Sequence, residues 1–245
     1  MLLLEELNTE FGNIRITRSK QTGFCTYYQG SCCHSQADTE GVSTCAYIHA
    51  MYSAIKQSGA HHILMVGCAG GSLATMLHRS GCDVTVVDIN PHAFDLAKRY
   101  FHMPEGIECV VGDGWSYILE NAHRYDAIAL DAFQSDATIP ESFTNGIFFY
   151  RVGQMLQDQG ILVMNVLTDN DLDLQADQIA LHMEGAGMPA ILFDQPGRID
   201  RNTIVVGGNK SLCIPSGQEP EWIRQELGRF MRRNPYKNTT KHIKS

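Results

Sequence analysis

The sequence predicts an α/β protein, a doubly wound, mostly parallel seven-stranded sheet with a small antiparallel β sheet ahead of it. Three observations carry that prediction. From His61 onward, short apolar runs alternate with amphipathic stretches through brief links, as when helices cover both faces of a parallel sheet. The run Ile63-Leu-Met-Val stops at Gly67 and passes through Cys-Ala-Gly-Gly-Ser into Leu73-Ala-Thr-Met-Leu, which reads as strand, tight turn and helix start. Residues 10 to 36 instead hold strand formers punctuated by turn residues, the signature of hairpins.

Within that first stretch, Asn13-Ile-Arg-Ile-Thr-Arg alternates apolar with polar, Gln21-Thr-Gly turns the chain, and Phe24-Cys-Thr-Tyr-Tyr precedes a second turn at Gln29-Gly30. Asp38 to Ser43 is a loop, and Ser43 or Thr44 can cap a helix to about Lys56 with Tyr47, Met51 and Ile55 on one face. After the strand at 63–66, a second ends in Asp88, and Pro91 suits the first turn of a helix to 101. A strand at 107–111, a helix at 114–121, a strand at 126–130 and a loop at 131–139 follow. Then come a helix at 140–157 opened by Pro140, a strand at 161–166, a helix at 172–185 and strands at 190–194 and 203–207. The chain so divides into an N-terminal β domain (1–43), an α/β domain (44–233) and a polar, basic tail (234–245) expected to be disordered.

At 245 residues and 44% hydrophobic content, the chain can bury a sizeable core. No apolar run approaches the 18 residues a span needs, and Met1-Leu-Leu-Leu-Glu-Glu is short and acidic for a signal peptide. The expectation is a cytoplasmic protein without a membrane partner. Eight cysteines, at 25, 32, 33, 45, 68, 82, 109 and 213, form no C-x-x-C pair and read as reduced thiols. Cys32-Cys33-His34 lacks a second ligand pair at metal spacing, so no metal is expected. The net charge is −8, yet from residue 221 onward seven Lys or Arg stand against two Glu. The acidic body this leaves disfavours nucleic acid and suits a small cationic substrate.

Right-handed crossovers bring the C-terminal ends of the parallel strands to one rim. Gly67, Gly70 and Gly71 allow positive φ and close approach of a ligand at the first strand end, although G-x-x-G-G is not the dinucleotide fingerprint. Asp88, with Ile89 beside it, ends the next strand 21 residues after Gly67, the distance at which such folds hydrogen-bond a ribose. Asp113 can accept from the exocyclic amine of adenine, with Gly114 permitting close approach, and can also cap the helix that follows. Asp131 falls beyond the ribose, where a reacting group sits. The segment from Asp131 to Thr144, which carries Gln134 and Asp136, is longer than an ordinary βα turn and reads as a lid or as an irregular connection.

Val66-Gly-Cys-Ala-Gly-Gly-Ser-Leu-Ala, Val87-Asp-Ile-Asn-Pro, Ala97-Lys-Arg-Tyr-Phe, Val111-Gly-Asp-Gly and Leu130-Asp-Ala-Phe-x-x-Asp-x-x-Ile-Pro-x-x-Phe-Thr resemble the spermidine synthase-like proteins of the polyamine aminopropyltransferase family. The likeness covers roughly residues 10 to 167 and implies a Rossmann-like fold of the methyltransferase type. It implies that Asp88 holds the ribose and Asp113 the adenine amine, that Gln36 contacts the nucleoside, and that Asp131 binds the attacking amine and takes its proton with Tyr47 assisting. The donor would be decarboxylated S-adenosylmethionine, the acceptor a small-molecule amine of the polyamine type, and the product nucleoside methylthioadenosine. A homodimer is the expected assembly. Spermidine synthases read Gly-Gly-Gly-Asp-Gly-Gly in the first loop, and the position of that diamine-binding Asp is Gly70 here.

Three readings stand at this point. The first is the aminopropyltransferase, and the second a small-molecule methyltransferase using S-adenosylmethionine itself, with Gly70 making room for its carboxylate. The third is a nucleoside-binding protein without catalysis.

Overall fold

The structure is a computed structural model and describes residues 1–134, 138–208 and 219–236. Strands β1 (Leu2–Thr9), β2 (Gly12–Arg18), β3 (Cys25–Gln29) and β4 (Cys32–Ala37) pair in sequence order as an antiparallel sheet. Alternation turns Ile14 and Ile16 to one face, where they join Cys25, Tyr27 and Ala37 against Leu96 and Phe101 of the larger domain. The sheet starts earlier than the sequence predicts. Leu-Leu-Leu-Glu-Glu does not alternate, and the register of β1 against β2 shifts between Leu3 and Glu5 to absorb the mismatch.

Among the described residues the larger sheet has eight strands: β5 (His62–Val66), β6 (Asp83–Asp88), β7 (Glu108–Val111), β8 (Tyr125–Leu130), β9 (Leu156–Thr168), β10 (Ala190–Asp194), β11 (Arg201–Gly207) and β12 (Met231–Arg233). Their order is β12-β10-β11-β9-β8-β5-β6-β7. Strands β5 to β9 are parallel, β11 opposes both β9 and β10, and β12 opposes β10. The helices are α1 (Ala46–Gln57), α2 (Ser72–Arg79), α3 (Ala93–Phe101), α4 (Gly114–Glu120), α5 (Gly146–Met155), α6 (Gln175–Gly185) and α7 (Glu221–Leu227). Along β5, Ile63 and Met65 enter the core under α1 and α2, whereas Leu64 and Val66 enter the one under α5 and α6, as a strand buried on both faces requires. The order reverses at β5, with β6 and β7 on one side and β8 and β9 on the other. A crevice therefore opens at the carboxyl ends of β5 and β8, the place where such sheets bind ligands.

Several expected boundaries change. The helix expected from Pro140 is a 3-10 turn at Glu141–Phe143, and α5 begins only at Gly146 because the Asn145 carboxamide accepts from the Phe148 amide at 3.0 Å and caps it there. Helix α6 starts at Gln175 rather than 172, since the Asp173 carboxylate takes the Gln175 amide at 2.9 Å. The eighth strand and α7 are additions. Strand β12 is only three residues long and lacks an apolar run. Arg233 anchors it, reaching Asp177 at 2.6 and 3.0 Å and Asp194 at 3.0 Å. The predicted tail begins in place, with the Tyr236 amide on Asp177 at 2.6 Å, and residues 237–245 lie outside the described residues. Among the described residues no helix is long and apolar enough to cross a membrane.

Candidate active site

The rim at the β5–β8 crevice holds two joined cavities. The larger, of about 530 Å³, is lined by Gly67, Asp88, Ile89, Asp113, Gly114 and Asp131 together with Pro140 and Phe143. Residues 9–12, Tyr27 and Gln29 of the N-terminal sheet form its outer wall. The smaller, of about 160 Å³, lies between β4, the start of α1 and the ends of β8, β9 and β11. His34, Cys68, Ala69, Asp131 and Phe133 line both. Asp131 thus stands at the junction.

Gly67 adopts φ +95°, and a Cβ there would fall 2.3 Å from the Asp131 carbonyl oxygen. The bend therefore requires glycine on both conformational and steric grounds. Asp88 braces the same bend. One of its oxygens accepts from the Cys68 amide at 2.7 Å and the other from the Asn90 amide at 2.8 Å. Burial pushes its carboxyl up, against backbone donors that pull it down. The Ala69 amide adds to these backbone donors, and the carboxylate keeps acceptor capacity for a hydroxyl from the cavity. Asp113 caps α4 through one oxygen, which takes both the amide and the hydroxyl of Ser116 at 2.8 Å, and its other oxygen carries no hydrogen bond among the described residues. Gly114 lies where a Cβ would come within 2.5 Å of Val66 Cγ1 and 3.3 Å of Phe143. With half-exposed Ile89 and Pro140, these side chains give the cavity a flat apolar end.

Asp131 is set differently. The Asn165 carboxamide donates to its Oδ1 at 2.8 Å, and the Asn202 carboxamide donates to Asn165 Oδ1 at 3.0 Å, which fixes the orientation of the Asn165 amide. The Tyr47 phenol bears on the same carboxylate. Among the described residues no ion pair involves Asp131. Burial pushes its carboxyl up to about 6, and Asn165 and Tyr47 pull against that rise. Burial also pushes Tyr47 well above its ordinary value, so it stays a neutral donor. A carboxylate held close to neutrality, with two neutral donors to orient it, is suited to take a proton from a bound group.

Gly67, Asp88, Ile89, Asp113, Gly114, Asp131 and Gln134 meet around the larger cavity, and Tyr47 meets Asp131 from the smaller one. Three expectations change. Gly70 and Gly71 line neither cavity. A Cβ at 70 would lie 2.7 Å from Ser35 Oγ and 2.9 Å from Phe101, and one at 71 would lie 2.9 Å from Met103 Sδ, so these glycines let helix α2 dock. Gln36 lies away from both cavities because its amide is committed to Thr26 at 3.1 Å and Thr44 at 2.7 Å, and Gln29 lines the larger cavity. Asp136 lies outside the described residues.

Sequence reasoning misses Asn165, Asn202 and His34. Asn165 carries a legible signal, a carboxamide interrupting the apolar run Ile161-Leu-Val-Met-Asn-Val-Leu, where an unpaired polar group would be costly.

The description "methyltransferase domain" fits residues 63–145. A probable polyamine aminopropyl transferase of Bifidobacterium longum is 30% identical over 129 residues, which are 52% of this chain and 29% of that protein. The polyamine aminopropyltransferase of Neisseria meningitidis serogroup A is 33% identical over 109 residues, 42% of this chain and 41% of that one. The chain spans well under half the length of these relatives. A probable spermidine synthase from Corynebacterium glutamicum has a structure that superimposes with a TM-score of 0.75 over 98% of both chains at 18% identity. The chain has the fold of that structure.

Proposed function

We propose that this chain is a transferase that moves an aminopropyl group from decarboxylated S-adenosylmethionine to an amine, releasing methylthioadenosine. One observation supports this reading most. The two joined cavities carry the carboxylates of Glu10, Asp88, Asp113 and Asp131, and no Lys or Arg is among the described residues that line them. His34 offers no cation near neutral pH, because burial lowers its pKa. Such a surface suits a donor with a sulfonium and an ammonium, and leaves the carboxylate of intact S-adenosylmethionine without a counter-charge. The methyltransferase reading also loses the room assigned to it at Gly70, where Ser35 and Phe101 stand.

In this reading Asp88 takes the ribose hydroxyls, Asp113 the exocyclic amine, and Ile89, Pro140 and Phe143 the faces of the base. The acceptor enters the smaller cavity as an ammonium and meets Asp131, oriented by Asn165 and Tyr47. Asp131 takes one proton, and the freed nitrogen lone pair forms a bond to the propyl carbon. The carbon–sulfur bond breaks as it does so, and the sulfur keeps the electron pair as a neutral thioether. Alignment of the two reactants supplies much of the acceleration, because a sulfonium carbon is already activated. The proposal extends to a homodimer in the cytoplasm, which light scattering on the purified protein tests.

Calorimetry with the two donors, followed by mass spectrometry of products from a panel of amines, tests the reaction. The decarboxylated donor is expected to bind at least about tenfold tighter, roughly 1.4 kcal/mol, and the amine to gain an aminopropyl group. Tighter binding of the carboxylated donor with methyl gain would instead establish the methyltransferase.

A further inference from the structure

We propose that the amine acceptor has an entrance of its own, a third cavity of about 340 Å³ that leads past Cys33, Tyr47 and Asn202 to Asp131, an inference that rests on the aminopropyl-transfer reading above. This cavity lies between the start of α1, the turn from β10 to β11 and the end of α7. Cys33, Tyr47 and Asn202 line both it and the smaller cavity, so the two adjoin along these three side chains. Two of the three are held in place. The Tyr47 phenol bears on Asp131, and the Asn202 carboxamide donates to Asn165 at 3.0 Å. Cys33 stands on β4, the edge strand of its sheet, and is the exposed member of the three. It therefore sets the width of the passage.

The geometry at the junction calls for a second way in. Transfer needs the amine nitrogen and the propyl carbon about 3–3.5 Å apart, and Asp131 stands where the larger and smaller cavities meet. A donor seated in the larger cavity thus fills the junction with its own reacting end. Its sulfonium and ammonium also repel a second cation that tries to pass. An amine arriving after the donor has to reach Asp131 from the other side. The rim of the third cavity admits a cation, because both of its guanidiniums are engaged by acids. Arg201 meets Asp194 at 2.7 Å and Arg198 meets Glu226 at 2.7 Å. Asp200 and Glu226 place two carboxylates on the same rim.

The test is steady-state kinetics of the full-length protein with the decarboxylated donor and the best-used amine of the panel above. Raising the donor to about a hundred times its KM is expected to leave kcat/KM for the amine unchanged within about twofold. With one shared entrance, donor-bound enzyme excludes the amine, and the same excess inhibits competitively with it. A loss beyond about twofold therefore overturns the inference, while the aminopropylated product leaves the reaction standing. Narrowing the passage by Cys33→Trp is expected to lower kcat/KM for the amine at least about tenfold and to leave the calorimetric donor Kd unchanged. An unchanged kcat/KM, or an equal loss of donor affinity, overturns the inference. Should Cys33→Trp fail to fold, the donor-excess experiment on the wild type decides. If the donor binds and no amine gains mass, the reaction itself falls and the entrance falls with it.

Discussion

Two aspartates at the same end of the β9–β11 strand pair are held in opposite ways. Asp131 meets the carboxamide of Asn165 and the phenol of Tyr47, neutral donors both. Asp194, 2% exposed, meets Arg201 at 2.7 Å, Arg233 at 3.0 Å and the Thr203 hydroxyl at 3.0 Å. Burial pushes both carboxyls up. At Asp194 the two guanidiniums outweigh it and hold the group below the usual carboxylate range. At Asp131 nothing of full charge opposes it, and the group rises to about 6. Strands β9 and β11 serve both, with Asn165 and Asn202 turned toward one acid and Thr168, Thr203 and Arg201 toward the other. The difference teaches that a buried acid given cations becomes a clamp, and one given only dipoles stays available to exchange a proton.

Removing the exchangeable acid breaks the comparison most sharply. Asp131→Asn should lower kcat by about a thousandfold, the middle of the range for a lost general base, as measured by product formation under saturating donor. It should also stabilise the fold at alkaline pH. A carboxyl raised to about 6 in the folded protein, against about 3.9 unfolded, has a stabilising effect at acid pH that is lost as pH rises through 6. Urea melts should show the variant ahead by roughly 2 kcal/mol at pH 8 and level with the wild type near pH 4.5.

Breaking the clamp should change stability without changing the proton chemistry. Arg233→Met leaves Asp177 and Asp194 short of a cation, and unfolding free energy should fall by about 3 kcal/mol or slightly more. Its pH dependence runs the other way from that of Asp131. A depressed carboxyl stabilises above its unfolded value and loses that contribution only as pH falls through the lower folded one. The apparent pKa of kcat should stay near that of the wild type. A shift in that pKa would mean that the two acids are coupled through β9 and β11.

The smallest effect sharpens the contrast. Asn165→Ala removes a donor that favours the ionised form of Asp131, so the acid limb of the rate profile should move upward by about one pH unit. A lower plateau with an unmoved limb would assign Asn165 to holding substrate instead.

The strands from β5 to β9 and the acids that end three of them were legible because apolar runs, proline starts and glycine bends agree with one another there. Tyr47, named by the likeness, and Gln134, named from the loop after Asp131, face the joined cavities. Gly70 and Gly71 show the limit of reading a motif by spacing, since a glycine that admits a ligand and one that admits Ser35 or Met103 look alike in sequence. Gln36 shows another, because its partners Thr26 and Thr44 are known only once β3 and β4 have paired. Strand β12 escapes detection because two buried acids far apart in sequence recruit its arginine, and no local pattern records that.

The abutment of Gly67 against the Asp131 carbonyl has a mechanical consequence. In the proposed reaction the turn beside one reactant and the residue assigned to deprotonate the other share a main-chain contact, so their separation is built in by the backbone and needs no closing motion. Side chains around the smaller chamber can then drift, and with them the choice of acceptor, while the distance between nucleoside and base stays the same.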